Sequence, residues 1–260
     1  MELLSVEYLL AAFLIFVRVS SMIMTAPYFS SASFPARVKL FFALITSMLL
    51  FSVIPAENVA IPPDAGAIYL ATTIIIEVLT GVAMGLTGQL IFAGLELAGR
   101  LISLKIVLGF ASVVDTMTQQ QSTIVSNLFS MLAVLVFLSI DGDKVYITAL
   151  AKSFEVIPLS QANVQLAGPY MLDIAVYMFL IAVQIMSPFF VVMFLLDLAL
   201  AIFARIMPQA NIMFIALPIK LGVGFIMLIL ISPYLPIAFR MMLQRLFNFL
   251  LEFMEVLSPI

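Results

Sequence analysis

The chain contains no cysteine, no histidine and no tryptophan. It can therefore build no disulfide, no thiolate or imidazole metal site, no cysteine nucleophile and no histidine acid–base pair. Without tryptophan the usual indole belt at a membrane interface is missing, and seven tyrosines are left to serve in its place. Charge is scarce as well. Only 10% of the 260 residues are charged, against about a quarter in an ordinary soluble domain. The net charge of -3 comes with no basic cluster, so nucleic acid is not an expected partner. Apolar residues fill the sequence instead: 65% of it is hydrophobic and the mean hydropathy is +1.27. This composition belongs to an integral membrane protein. Glu2 and Glu7 stand where a signal peptide is basic, and Arg18 interrupts the first apolar run. Leu3–Met24 therefore reads as a retained helix rather than a cleaved leader.

Apolar runs of spanning or near-spanning length recur along the chain, which predicts an all-α fold. After Leu3–Met24 come Leu40–Ile54, Ile68–Leu97, Ile124–Ile140, Val145–Ile157, Tyr170–Met186, Phe189–Met207, Ile212–Ile231 and Leu235–Leu257. Pro188 is expected to separate two helices, and Ile68–Leu97 is too long for one straight span. The Arg37/Lys39 turn would be cytoplasmic by the positive-inside rule, and the Glu57/Asp64 connection outside. No repeat, low-complexity tract or separate soluble domain is visible, so residues 1–260 read as one domain. Many runs are short or broken by proline, as when hydrophobic hairpins pack on partner subunits rather than on lipid.

The densest polar chemistry lies in Asp197–Asn211, where Asp197, Arg205, Pro208, Gln209 and Asn211 interrupt apolar sequence. Charges buried in a membrane are costly and face protein or a polar cavity. Asp197 and Arg205 lie about two helical turns apart and can share a helix side. Pro208 stops or kinks that helix, and Gln209 and Asn211 are expected to satisfy the backbone groups it frees.

Other polar residues admit two readings. Glu77 is either a proton-carrying carboxylate or, the reading preferred here, one side of a helix–helix hydrogen bond or ion pair. Arg18 and Lys220 either snorkel to an interface or bond an acid on another helix. Glu96 and Arg100 are spaced to pair on one helix face. Gly81, Gly85 and Gly88 share a face and predict close helix packing. The interval Val107–Gln121 has no helical period. It is either a solvated connector or, through Gly109, Phe110, Val113, Val114 and Met117, a loop that plugs a passage. No nucleophile–base pair, phosphate loop or matched aspartyl motif is present, so no catalytic, metal or cofactor site is expected.

Several of these elements together resemble one family. Ala204-Arg205-Ile206-Met207-Pro208-Gln209-Ala210-Asn211 is similar to the signature of the FliR family, the flagellar type III export-gate subunits whose pattern virulence-secretion homologues share. Leu217-Pro218-Ile219-Lys220 resembles its continuation. Ser153–Leu159 resembles its "SF..iPlg" element, with Ser160 where glycine is common. Phe137–Asp143 resembles its "Fl..nGh" turn, with aspartates for the asparagine and the histidine. Phe34–Lys39 and the Glu77, Gly81, Gly85 spacing match its N-terminal half.

The resemblance implies an all-helical, non-enzymatic export-gate subunit in the bacterial inner membrane and flagellar basal body. It further implies assembly with FliP and FliQ, contact with FlhB, passage of unfolded export substrates, and a pore plug at the position of Val107–Gln121. Val114-Asp115-Thr116 departs from the family's proline there. On this view Glu77→Gln is expected to keep much of the export activity by preserving hydrogen bonds. The rival reading is a secondary transporter with Glu77, Asp197 or Arg205 in its site. Transporters usually show repeated halves, and none is visible here.

Overall fold

The computed structural model describes residues 6–27, 35–54, 66–106, 123–163, 167–209 and 211–258. Among them the regular structure is entirely helical. The helices are α1 (Val6–Thr25), α2 (Ala36–Val53), α3 (Ala67–Lys105), α4 (Ile124–Ser139), α5 (Gly142–Val156), α6 (Ala167–Ile206), α7 (Ile212–Ile231) and α8 (Leu235–Leu257). Five are long and apolar enough to cross a membrane: α1, α2, α3, α6 and α7. The number rises to six if α4 and α5 form one broken span. The 39 residues of α3 run about 58 Å at the helical rise, against a bilayer core of about 30 Å.

Two differences from the sequence expectation have local causes. The third helix does not end near Leu97 but continues through Arg100 to Lys105, because Leu95, Ala98, Ile102 and Ile106, three or four residues apart, bury one face of it. Nor does Pro188 separate two helices; it lies inside a continuous α6. Proline lacks the N–H that would bond the carbonyl four residues back. That carbonyl belongs to Gln184, and the Ser187 hydroxyl donates to it at 2.9 Å. In a helix facing hydrocarbon, such a side-chain bond restores what proline removes. Ser187→Ala should therefore lower the chain's unfolding free energy in detergent by about 1 kcal/mol. An unchanged denaturation midpoint would show that the carbonyl finds another donor.

The chain folds as two compact units. The first comprises residues 1–90, 141–175 and 244–260; its buried side chains include Leu14, Ile15, Met22, Met84, Phe154 and Phe253. The second comprises residues 91–140 and 176–243. There Phe129 meets Phe239 edge-on at 5.5 Å between ring centres, and Phe92 meets Phe137 at 5.6 Å. Thr123 caps α4 through a reciprocal box with Ser126: its side-chain oxygen accepts from the Ser126 N–H, and its own N–H donates to the Ser126 hydroxyl oxygen.

The outward faces are apolar. In α2 the buried side holds Ala43, Thr46, Ser47 and Leu50, while Phe41, Met48 and Leu49 are each about two-thirds exposed. Small and hydroxyl-bearing residues face in and large apolar ones face out, the reverse of a soluble helix. Helix α7 carries this furthest, with 6% of its most apolar stretch buried.

Candidate functional site: polar joints between apolar helices

Arg18 sits beyond the midpoint of α1 with none of its surface exposed, and Glu77 on α3 is equally buried. Their side chains meet as a fork on a carboxylate. Arg18 Nε donates to Glu77 Oε2 at 2.5 Å and Nη2 donates to Oε1 at 3.1 Å. The remaining nitrogen, Nη1, donates to the carbonyls of Ser153 (3.2 Å) and Ile157 (3.0 Å) at the C-terminus of α5. Those carbonyls carry the partial negative charge of a helix end, so the guanidinium also caps α5. The Phe154 ring covers it at 4.3 Å. Glu77 Oε1 takes one more donor, the Ser160 N–H at 2.9 Å. One arginine thus ties α1, α3, the end of α5 and the turn beyond it, with both carboxylate oxygens occupied.

The turn is shaped for this contact. Ser160 has φ 66°, in the left-handed region that favours glycine. Its hydroxyl lies 2.9 Å from the Tyr69 hydroxyl on α3, a bond glycine could not make. Serine therefore trades backbone strain for a second tether to α3.

Below the ion pair, α1 and α3 pack through the glycine face. A Cβ on Gly81 would lie 2.8 Å from the Ser21 Cβ, and one on Gly85 would lie 2.8 Å from the Met22 carbonyl oxygen. A Cβ on Gly88 would meet the Tyr146 hydroxyl at 2.6 Å, the same hydroxyl that donates to the Met84 carbonyl at 3.0 Å. Gly81 and Gly85 bring the α1 and α3 backbones together, and Gly88 leaves room for the Tyr146 and Pro27 side chains.

The second unit holds a different joint. Asp197 on α6 does not pair with Arg205; its Oδ1 bonds Lys220 Nζ on α7 at 2.5 Å. Eight residues along one helix separate side chains by about 12 Å, whereas the α6–α7 hairpin brings Lys220 alongside. The side chains of Asp197 and Lys220 remain 42% and 23% exposed, so neither is fully buried. Arg205, Pro208, Gln209 and Asn211 are exposed on this chain by itself. Asn211 takes the position before α7 but makes no side-chain capping bond. The helix break instead closes through backbone, with the Phe214 N–H donating to the Asn211 carbonyl at 3.2 Å. The plug candidates Gly109, Phe110, Val113, Val114 and Met117 lie outside the described residues.

Sequence reasoning singled out Arg18 and Glu77 separately but did not join them. The roles of Ser153, Ile157 and Tyr69 were missed altogether, because two are backbone acceptors and tyrosine gave no local pattern. The Ser-Phe-Glu-Val-Ile-Pro element was the available signal: it marks the helix end that Arg18 caps.

Long apolar helices joined by internal ion pairs, with apolar faces outward, define a helical membrane protein of several spans. Residues 9–246 match the family described as bacterial export proteins, family 1. The chain is 31% identical over 245 residues to the flagellar biosynthetic protein FliR of Pectobacterium carotovorum, covering 94% of this chain and 92% of that one. FliR of Aquifex aeolicus is 30% identical over 246 residues, covering 94% and 93%. FliR of Bacillus subtilis is 31% identical over 223 residues, covering 84% and 85%. The chain belongs to the bacterial export proteins, family 1, the family of FliR.

Proposed function

We propose that this chain is a non-enzymatic subunit of the flagellar type III protein-export gate, acting as one domain in the bacterial inner membrane at the flagellar basal body. It would form part of the channel for unfolded export substrates and help to close it. Membership of the export family over residues 9–246 carries the reading. The outward apolar faces of α2 and α7 supply surface for lipid and for FliP, FliQ and FlhB as neighbours. Exposed Arg205, Gln209 and Asn211 supply polar contacts for an adjacent subunit. Glu77 and Asp197 each have a basic partner already, which weakens the transporter reading.

The plug belongs to the same proposal. The Ser103 hydroxyl on α3 donates to the Thr123 hydroxyl at the start of α4 at 2.7 Å. The chain that flanks residues 107–122 is therefore tied at its base. Gly109 would let the segment bend, and Phe110, Val113, Val114 and Met117 would supply an apolar seal that holds back water and ions. The test is a partial deletion within 107–121, with assembly and membrane conductance measured together. The expected result is a complex that still co-purifies with several other small membrane subunits but leaks ions. Unchanged conductance in an assembled variant would leave the segment a connector. A wild-type chain that purifies only with itself would remove the export-gate reading.

A further inference from the structure

Helices α5 and α8 are the most mixed in polarity of the described helices, and neither alone qualifies as a span. Between them lies a groove of about 240 Å³. Its walls are apolar: Val145 and Ala149 from α5, and Phe247, Leu250 and Leu251 from α8. The polar side chains on its lining are Thr148 and Lys152. The Thr148 hydroxyl is already spent on the Lys144 carbonyl at 2.8 Å. Lys144, one turn earlier still, is held by Asp141 at 2.7 Å. Lys152 is exposed and pairs with no acid among the described residues. The groove therefore presents a short apolar trough with one lysine outside any ion pair at its edge, Glu155 being the nearest acid along α5.

We propose that this groove binds an anionic phospholipid, with the first part of one acyl chain against Phe247 and Leu251 and the phosphate on Lys152. The charge complementarity selects the ligand. A zwitterionic lipid offers the same acyl chain but sets its own cation beside Lys152, and a free phosphate has no apolar part to fill the trough. The proposal needs a membrane-embedded chain but not an export role, so it stands or falls separately from the export reading.

The experiment uses the full chain purified in mild detergent. Thermal unfolding is followed with added phosphatidylglycerol, with phosphatidylcholine of the same acyl chains, and with glycerol phosphate; lipid adducts are counted by native mass spectrometry. Phosphatidylglycerol should raise the unfolding temperature by several degrees more than phosphatidylcholine, and glycerol phosphate should have no effect. Lys152→Gln should reduce the phosphatidylglycerol shift to the phosphatidylcholine level without changing the lipid-free unfolding temperature. Leu251→Trp, at a partly exposed position in the trough, should reduce the adducts of both lipids. Equal shifts for the two lipids in the wild type would overturn the proposal. So would a Lys152→Gln variant that keeps its preference for phosphatidylglycerol, the result expected if the groove instead seats a helix of a neighbouring subunit.

Discussion

Arg18→Ala should destabilise the chain by about 3–5 kcal/mol, the cost of leaving one member of a buried pair without its partner. The reason is specific. The guanidinium neutralises Glu77 and caps the Ser153 and Ile157 carbonyls, so its loss strands an anion and two acceptors in apolar surroundings. Less folded, membrane-inserted protein should accumulate, and what remains should unfold at lower denaturant. Glu77→Gln should also be damaging. It keeps an acceptor oxygen at the Oε1 position for Arg18 Nη2 and the Ser160 N–H, but it leaves the Arg18 charge unbalanced and sets an amide N–H group against the Arg18 Nε donor. The buried charge balance therefore predicts less tolerance than preserved hydrogen bonding alone would. The double variant Arg18→Leu with Glu77→Leu should recover part of the loss, since an apolar pair can replace a buried ion pair at little cost. Recovery stays partial because the Ser160 N–H and the Ile157 carbonyl lose their partners. Wild-type stability in Arg18→Ala would show that the pair contributes nothing.

The next largest effect falls on the glycine face. Gly85→Ala should cost about 3 kcal/mol, the upper part of the usual range for overpacking. Its Cβ would lie 2.8 Å from the Met22 carbonyl oxygen and would also strike the Thr25 side chain. Backbone on α1 cannot yield as a flexible side-chain tip would. Gly222→Ala on α7 is the control: nothing lies within 4 Å of its Cβ. There the intrinsic preference of alanine for helix should show through as a gain of up to about 1 kcal/mol. Opposite signs at two helical glycines, read from unfolding midpoints, would separate packing from propensity. Equal effects at both sites would mean that α1 and α3 are not held in close contact.

The apolar runs determined the helices, since a stretch of that length in so uncharged a chain has few ways to satisfy its backbone except by coiling. The glycine spacing marked the packing face for the same reason: three and four residues are one helical turn, a property of local geometry. The sequence also supplied the family resemblance, because the Arg-Ile-Met-Pro-Gln-Ala-Asn stretch is contiguous. Where a residue's partner is distant, nothing local could assign it. Arg18 meets Glu77 across 59 positions and Ile157 across 139, and only the packing of α1, α3 and α5 chooses them. Asp197 had a tempting neighbour in Arg205 on its own helix, yet the hairpin delivered Lys220. Pro188 should have ended a helix by backbone chemistry alone, until the rotamer of Ser187 returned a donor to the Gln184 carbonyl. Local hydrophobicity sets where chain becomes helix. Which charges neutralise one another is decided by three-dimensional proximity, because in a medium of low dielectric a buried charge persists only beside its complement.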